Sequence, residues 1–418
     1  MRVLMVLGQA RGGIGAHVDR LVADLRAMGH HVEVVTAEST AAAFGWRDAH
    51  RLWPVHPGLR APVGLLDWHR VMRLAGTVDV VHAHGHQAAV VAAIAVTRAR
   101  PRPRLFVSLH NDLPSVAPAP VPYAAPYTAA AQPPTAAPKT TGSPGATGTA
   151  SPPTAGRRDA PWGRAGRSAT QALLSWCLGR AQLVTGASPD LVELARSLGA
   201  RRVELALVPS PAVADLLDAG PLAPAERERL LASAGLPADQ PVVLTVARIA
   251  PQKDLPTLVA AARRSRVPAS WVVVGDGDER LRARLEQEAA GIRQGEHAVH
   301  FVGARADVHD WLRASDVFVL TSRWEARALV VQEAMAAALP VVATRTGGLP
   351  ELVSDAGTLV PVGDPVSVAA EVDLLLDDPT VRERMGAAAR LRASSWPTPE
   401  DEARRWVERY AADAPGMT

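Results

Sequence analysis

Two carboxylates, Glu325 and Glu333, stand eight positions apart in the stretch WEARALVVQEAMAAALP, residues 324–340. The rest of the run is the apolar sequence of a helix that packs on a sheet, and the preceding DVFVL reads as a buried strand. With that strand ending at Leu320, Glu325 falls in the connecting loop and Glu333 about one turn into the helix, so both can face a crevice. A carboxylate that accepts from two adjacent hydroxyls suits a ribose or a hexose. The helix start between the two acids, at Leu329 and Val330, offers backbone N–H groups to a phosphate. Hydroxyl recognition at both ends with an anion in the middle fits a nucleotide sugar. The plainer alternative is a glutamate favoured by the helix dipole together with a surface ion pair.

Three further segments have the same loop-into-helix character. In GQARGGIGAHV, Gly12 and Gly13 allow close backbone approach at a helix start; a glycine turn before a helix is also common without any ligand. In VARIAPQKDLPTL, Arg248 and Lys253 lie five apart, suited to gripping two phosphates by a fork and a point charge. Lys253 is one of only two lysines in the chain, the other being Lys139, and as a loop residue it is expected to contribute charge and not packing. TRTGGLPELV adds Gly347 and Gly348 ahead of a short helix. The run HAHGH invites a metal reading because His82, His84 and His86 can share a side of an extended segment, against acceptor-side contacts or purely structural roles. GDGDE at 275–279 hints at a dinucleotide site, but no full G-x-G-x-x-G follows.

The elements that must hold these loops alternate. RVLMVLG, HVEVVT, VDVVHAHG, RLFVSLH, AQLVTGAS and RVELALVPS read as buried strands of the first half. PVVLTVAR, WVVVGDG, AVHFVG, DVFVLTS and PVVAT read as those of the second. Helices are expected near 14–29, 86–99 and 189–198, then near 254–265, 278–290, 307–314 and 328–338. Such alternation implies parallel sheets built from right-handed crossovers. Two sets imply an α/β protein of two doubly wound, Rossmann-like domains facing across a cleft. In open sheets of this kind ligands bind beyond the carboxyl ends of the strands, where all four segments fall. The boundary is expected near 209–222, where Pro and Gly collect, giving domains 1–212 and 213–395 and a terminal segment 396–418 with a final helix around 398–411.

A chain of 418 residues, 48% hydrophobic, has material for two cores. Its formal charge of +3 is small, and no Lys/Arg cluster interleaved with aromatics points to nucleic acid. Cys177 is the single cysteine, so no internal disulfide is possible and a reducing compartment fits. The longest strongly apolar stretch, AAVVAAIAV at 88–96, is far below the roughly 20 residues that span a bilayer. A cytoplasmic protein with at most peripheral membrane contact is expected. Between Pro114 and Pro161 lie 12 of the 35 prolines and no Leu, Ile, Met, Phe or Trp, so the insertion 113–165 is expected to be disordered or a mobile lid.

The spacing of Glu325 and Glu333, the upstream Arg248/Lys253 pair, GGxxxH at Gly12–His17 and TGGLPELV together resemble the retaining glycosyltransferases of family 4, which have the GT-B fold. The resemblance covers nearly all the chain outside 113–165. It implies that Gly13 approaches the donor phosphate, that Arg248 and Lys253 bind the diphosphate, that Glu325 holds the transferred sugar and that Glu333 holds the ribose. His110, in SLHND at a strand end, looks like the family's active-site histidine. It further implies transfer of a hexose from a nucleoside diphosphate sugar, no metal or cofactor for donor binding, and a last helix crossing back onto the first domain. Two positions depart from the family. ARA, Ala326 to Ala328, replaces a Gly-Phe-Gly-like turn, and PSP at 209–211 replaces an Asn-Gly. The acceptor, a lipid, polyol, polysaccharide or natural product, is not legible. A nucleotide-sugar epimerase of the same architecture and a non-catalytic nucleotide-sugar-binding protein remain as alternatives.

Overall fold

The computed structural model describes residues 1–10, 12–53, 61–111, 169–290 and 298–412. The insertion 113–165 lies outside the described residues. The first sheet is formed by Arg2–Leu7 (β1), His31–Thr36 (β2), Val80–His84 (β3), Arg104–Leu109 (β4), Leu183–Gly186 (β5) and Val203–Leu205 (β6), in the order β2-β1-β3-β4-β5-β6. The second comprises Val242–Val246 (β7), Ser270–Val274 (β8), Val299–Gly303 (β9), Val317–Leu320 (β10), Val341–Thr344 (β11) and Thr358–Val360 (β12), in the order β12-β11-β10-β7-β8-β9. Every pairing is parallel.

Burial explains the Val and Leu runs of these strands. Val3 to Val6, Val80 and Val81, Val272 and Val273, and Val317 to Val319 are fully buried because helices cover both faces. The sheet-edge strands β6 and β9 are exceptions: RVELALVPS yields only three strand residues, and the residues of both strands are partly exposed. An edge strand has one neighbour, so less apolar surface is needed there. The segment expected only as a boundary contains a short helix, Val213–Asp218, whose Leu216 is buried in the second core.

The strand orders decide where a ligand can lie. The chain reverses direction across each sheet between β1 and β3 and between β7 and β10, and at such switch points the loops on either side diverge to open a crevice. The loops after β1, β7 and β10 are those carrying Gly12 and Gly13, Arg248 and Lys253, and Glu325. Among the described residues no helix is long and apolar enough to cross a membrane.

The final helix, Pro399–Ala412, packs on the first sheet. Trp406 and Tyr410 are buried in one core with Val3, Met5, Val80 and Phe106. The Tyr410 hydroxyl lies 2.6 Å from His82 Nδ1, and Arg104 donates to the Tyr410 carbonyl. Removing a fully buried indole leaves a cavity as well as lost transfer energy. Trp406→Ala should therefore cost about 3–5 kcal/mol of first-domain stability, seen as a lower urea midpoint. An unchanged midpoint would show that the helix adds nothing to that core.

Candidate active site

The loops beyond β7, β8, β10 and β11 are knitted into one floor. After β7 the chain makes a single 3-10 turn, Pro251–Lys253, and leaves it through Asp254 in the left-handed region, φ +47°. Gln252 fastens this turn to the β10 loop: its side-chain amide donates to the Trp324 carbonyl at 2.7 Å, and its own carbonyl accepts from Arg323 N–H at 2.8 Å. Thr321 Oγ1 donates to the Lys253 and Asp254 carbonyls, each at 3.1 Å.

These tethers bring Lys253 and Glu325 into a direct ion pair, 72 positions apart in sequence. Both side chains are largely buried, at 15% and 9% exposure. The same Glu325 oxygen accepts from Ser322 Oγ at 2.6 Å. A buried carboxylate is tolerated when its lone pairs are satisfied, and here an ammonium and a hydroxyl share the task. Lys253 contributes charge to a buried acid and is itself largely buried, so its charge bears on the stability of these loops as well as on any ligand. Arg248 is exposed and, among the described residues, enters no ion pair, which leaves its guanidinium available.

Glycines make the floor possible. At Gly348 a Cβ would meet the Ala326 carbonyl at 1.9 Å, and at Gly347, which has φ +52°, it would meet the Glu325 carbonyl at 1.9 Å. Gly348 N–H donates to that Glu325 carbonyl at 2.9 Å. The pair in TGGLPELV therefore seats the Glu325 loop. Gly275 and Gly277 of GDGDE do the same for the Arg248 loop, where a Cβ would meet the Ala247 and Ile249 carbonyls at 2.1 and 2.2 Å. That motif's glycines thus have a structural use that requires no dinucleotide.

The helix Leu329–Ala336 begins without a side-chain cap, and its first two N–H groups, on Leu329 and Val330, make no backbone hydrogen bond among the described residues. Its first turn points across the cleft. A Cβ on Gly13, the first residue of the helix Gly13–Ala27, would lie 3.3 Å from Leu329 Cδ1. Gly12 has open space around it, since nothing lies within 4 Å of its Cβ position. Trp324 Nε1 reaches over to donate to Asp190 Oδ2 at 2.6 Å, a second bridge between the two sheets.

Glu333 accepts from Ser210 Oγ at 2.6 Å. Ser210 is the middle of PSP, and its N–H donates to Gln332 Oε1 at 3.1 Å while Gln332 Nε2 donates to the Val208 carbonyl at 2.9 Å. The serine between two prolines thus fastens the connector between the sheets to the helix that carries Glu333. Burial raises the Glu333 carboxyl above its usual range, and the Ser210 bond and His309 oppose the shift. In ARA, Ala326 and Ala328 are buried and the Arg327 side chain, 5% exposed, pairs with Glu351 Oε1 at 3.3 Å. Arginine therefore points away from solvent here, and burial draws its pKa down.

On the first-domain side His110 is buried at the end of β4, and His84 Nδ1 lies 3.1 Å from His110 Nε2. His17, buried on the helix Gly13–Ala27, joins them, with ring centroids 5.6 Å from His110 and 5.9 Å from His84. Sequence reading grouped His84 with His82 and His86 instead. His82 is engaged by Tyr410 and by Ser108 Oγ at 2.8 Å, and His86 opens the helix His86–Arg98. The missed member, His17, was visible as the last position of GGxxxH. Burial lowers His17 to about 4; burial and then the His17 charge lower His110 to about 3. His84 is held well below the ordinary imidazole range by burial and by His82, His110 and His17.

With this geometry in place, the chain compares with known proteins as follows. Residues 12–211 match the glycosyl transferase 4-like domain and residues 226–392 match glycosyl transferases group 1. The chain is 35% identical over 221 residues to the D-inositol 3-phosphate glycosyltransferase of Xylanimonas cellulosilytica, covering 50% of this chain and 51% of that protein. It is 33% identical over 205 residues to the lipopolysaccharide core biosynthesis glycosyltransferase LpsD of Rhizobium meliloti, covering 48% and 55%. The matches thus span about half the length of these curated relatives. Anabaena HepE, solved in complex with UDP, superposes with a TM-score of 0.75 at 19% identity over 99% of this chain and 100% of that one. WaaG, a glycosyltransferase of lipopolysaccharide biosynthesis, gives 0.64 at 15% identity over the full length of both. Two parallel-sheet domains in this arrangement are the GT-B fold. The chain belongs to the family 4, group 1 glycosyltransferases.

The seating role of Gly348 is open to test. In Gly348→Ala the added methyl forces the Ala326 carbonyl away, so the amide that now donates to Glu325 should exchange its hydrogen faster, with a lower melting temperature. Unchanged exchange there would mean that the loop does not depend on the glycine.

Proposed function

We propose that the protein transfers a hexose from a nucleoside diphosphate sugar to an acceptor hydroxyl with retention of anomeric configuration. The observation that carries this reading is the Lys253–Glu325 pair, set beside the uncapped helix start at Leu329 and opposite Gly13. One anion-binding element and one hydroxyl-binding carboxylate lie side by side there, as the diphosphate and sugar of such a donor do. HepE is described in complexes with UDP and with UDP-glucose, which supports a donor of this class.

In this reading the diphosphate lies against Leu329 and Val330 N–H, with Gly13 opposite and Arg248 and Lys253 neutralising it. Lys253 keeps two of its three N–H donors after pairing with Glu325. Glu325 takes sugar hydroxyls, and Glu333, oriented by Ser210, takes the ribose through its remaining oxygen. His110 sits beside the transferred sugar as a neutral imidazole, able to donate or accept without adding charge. Among the described residues, the carboxylates on segments tied to the Glu325 loop, Asp190 and Asp254, are engaged by Ser188 and Trp324 and by Thr257 and Arg323. The leaving diphosphate itself then assists the incoming hydroxyl on the face it vacates, and stabilising its departing charge is the main catalytic contribution.

Two measurements test this. Arg248→Ala should weaken binding of a nucleoside diphosphate about tenfold to a hundredfold, the worth of one hydrogen bond to a charged group, without moving the melting temperature. Lys253→Ala should weaken it as much and also destabilise the fold, because it strands Glu325. Affinity unchanged in both would remove the phosphate site. For stereochemistry, an α-linked donor should give an α-linked product by NMR, and a β-linkage would overturn the same-face mechanism.

A further inference from the structure

We propose that His17, His84 and His110 form a binding site for a divalent late transition-metal ion of the zinc class, which blocks the enzyme when occupied. The three imidazoles come from different elements, the helix Gly13–Ala27, the end of β3 and the residue after β4. One ring nitrogen from each lies within 4.8 Å of the others. Zinc bound tetrahedrally by imidazoles at about 2.0–2.1 Å places its nitrogens about 3.4 Å apart. The His84–His110 pair, at 3.1 Å, already has nearly that separation. The remaining nitrogen has to close by an ångström or so, within reach of side-chain rotation.

Two other observations point to a ligand. His84 presents Nδ1 to His110, while its Nε2 is buried without a hydrogen-bond partner, so no second bond fixes the ring against the rotation that coordination needs. Among the described residues the cluster is made of imidazoles alone, with no carboxylate among its members. Metal binds the neutral form of imidazole, and all three rings are buried, which favours that form. Imidazole nitrogen suits zinc, copper, nickel and cobalt and disfavours magnesium and calcium, whose ligands are oxygens. Three protein ligands leave the fourth tetrahedral position to water or an anion.

An ion there engages His110, which in the proposed reaction stands beside the transferred sugar, so occupancy and turnover exclude each other. The metal is an inhibitor and not a requirement: EDTA-treated enzyme should be fully active, and micromolar-range zinc should be the kind of addition that stops it and EDTA the kind that restores it.

The direct test does not depend on sugar transfer. Titration of the chelator-treated protein with cobalt(II) should give the visible absorption of a tetrahedral site, saturating at one ion per chain and displaced by zinc. His17→Ala and His84→Ala should each abolish it, and His86→Ala, in the neighbouring position that sequence alone had grouped with His84, should leave it intact. Circular dichroism identifies any variant that fails to fold, and His17→Gln then replaces it. Absence of the cobalt spectrum in the native protein, or its persistence without both His17 and His84, overturns the site. Failure of nucleotide binding in the Arg248 experiment would instead count against the donor reading alone.

Discussion

The ion pair between Lys253 and Glu325 is the interaction on which the rest of the site depends. It places an acid where water is mostly excluded, and an acid in such a place is costly unless it is paired and hydrogen-bonded. Everything around it serves that condition. Ser322 supplies the second donor, Gln252 and Thr321 hold the lysine's turn against the acid's loop, and Gly347 and Gly348 let a third loop close on both. An ammonium with donors to spare and a carboxylate with one oxygen partly free form a polar floor whose charges are already oriented before any ligand arrives. Preorganisation of that kind is where enzymes gain most of their electrostatic advantage.

The second domain's floor is only half of a site, and the first domain closes over it through a few specific bridges. Trp324 donates to Asp190, Leu329 faces Gly13, and Ser210 grips both Gln332 and Glu333. The last of these is notable for its location. Ser210 lies in the connector, flanked by prolines that restrict its backbone, and its hydroxyl orients a carboxylate in the opposite helix. The connector and the helix that carries Glu333 are thereby joined through one hydroxyl. The terminal helix, with Trp406 and Tyr410 buried against β1 and β3, adds a further tie, and through His82 it touches the strand that carries His84.

Two departures from the family pattern find physical accounts in the packing. Where the family has a Gly-Phe-Gly-like turn, ARA places two alanines small enough to be buried, while Arg327 reaches Glu351 and so avoids isolation. Replacing Asn-Gly by PSP keeps one polar side chain at the connector, and a serine hydroxyl suffices to bond Glu333.

The periodicity of apolar residues alone determined that this is an α/β protein with two parallel sheets, since strands buried on both faces write themselves as unbroken Val and Leu runs. It also determined that Gly12 and Gly13, Arg248 and Lys253, and Glu325 lie in loops leading from strands to helices. Short elements were less legible. The strand Thr358–Val360, the helix Val213–Asp218 and the truncated β6 carry too few residues for a period to show, and edge or surface positions relax the apolar requirement. Only the tertiary structure decided which charges meet. Lys253 and Glu325 are 72 positions apart, and no local pattern says that they pair. It also decided that Gly347 and Gly348 serve backbone contact, and that His84 faces His17 and His110 as well as its strand neighbour His82. Such choices depend on sheet order and on loops packing against loops, and those distances are set by contacts between segments remote in sequence.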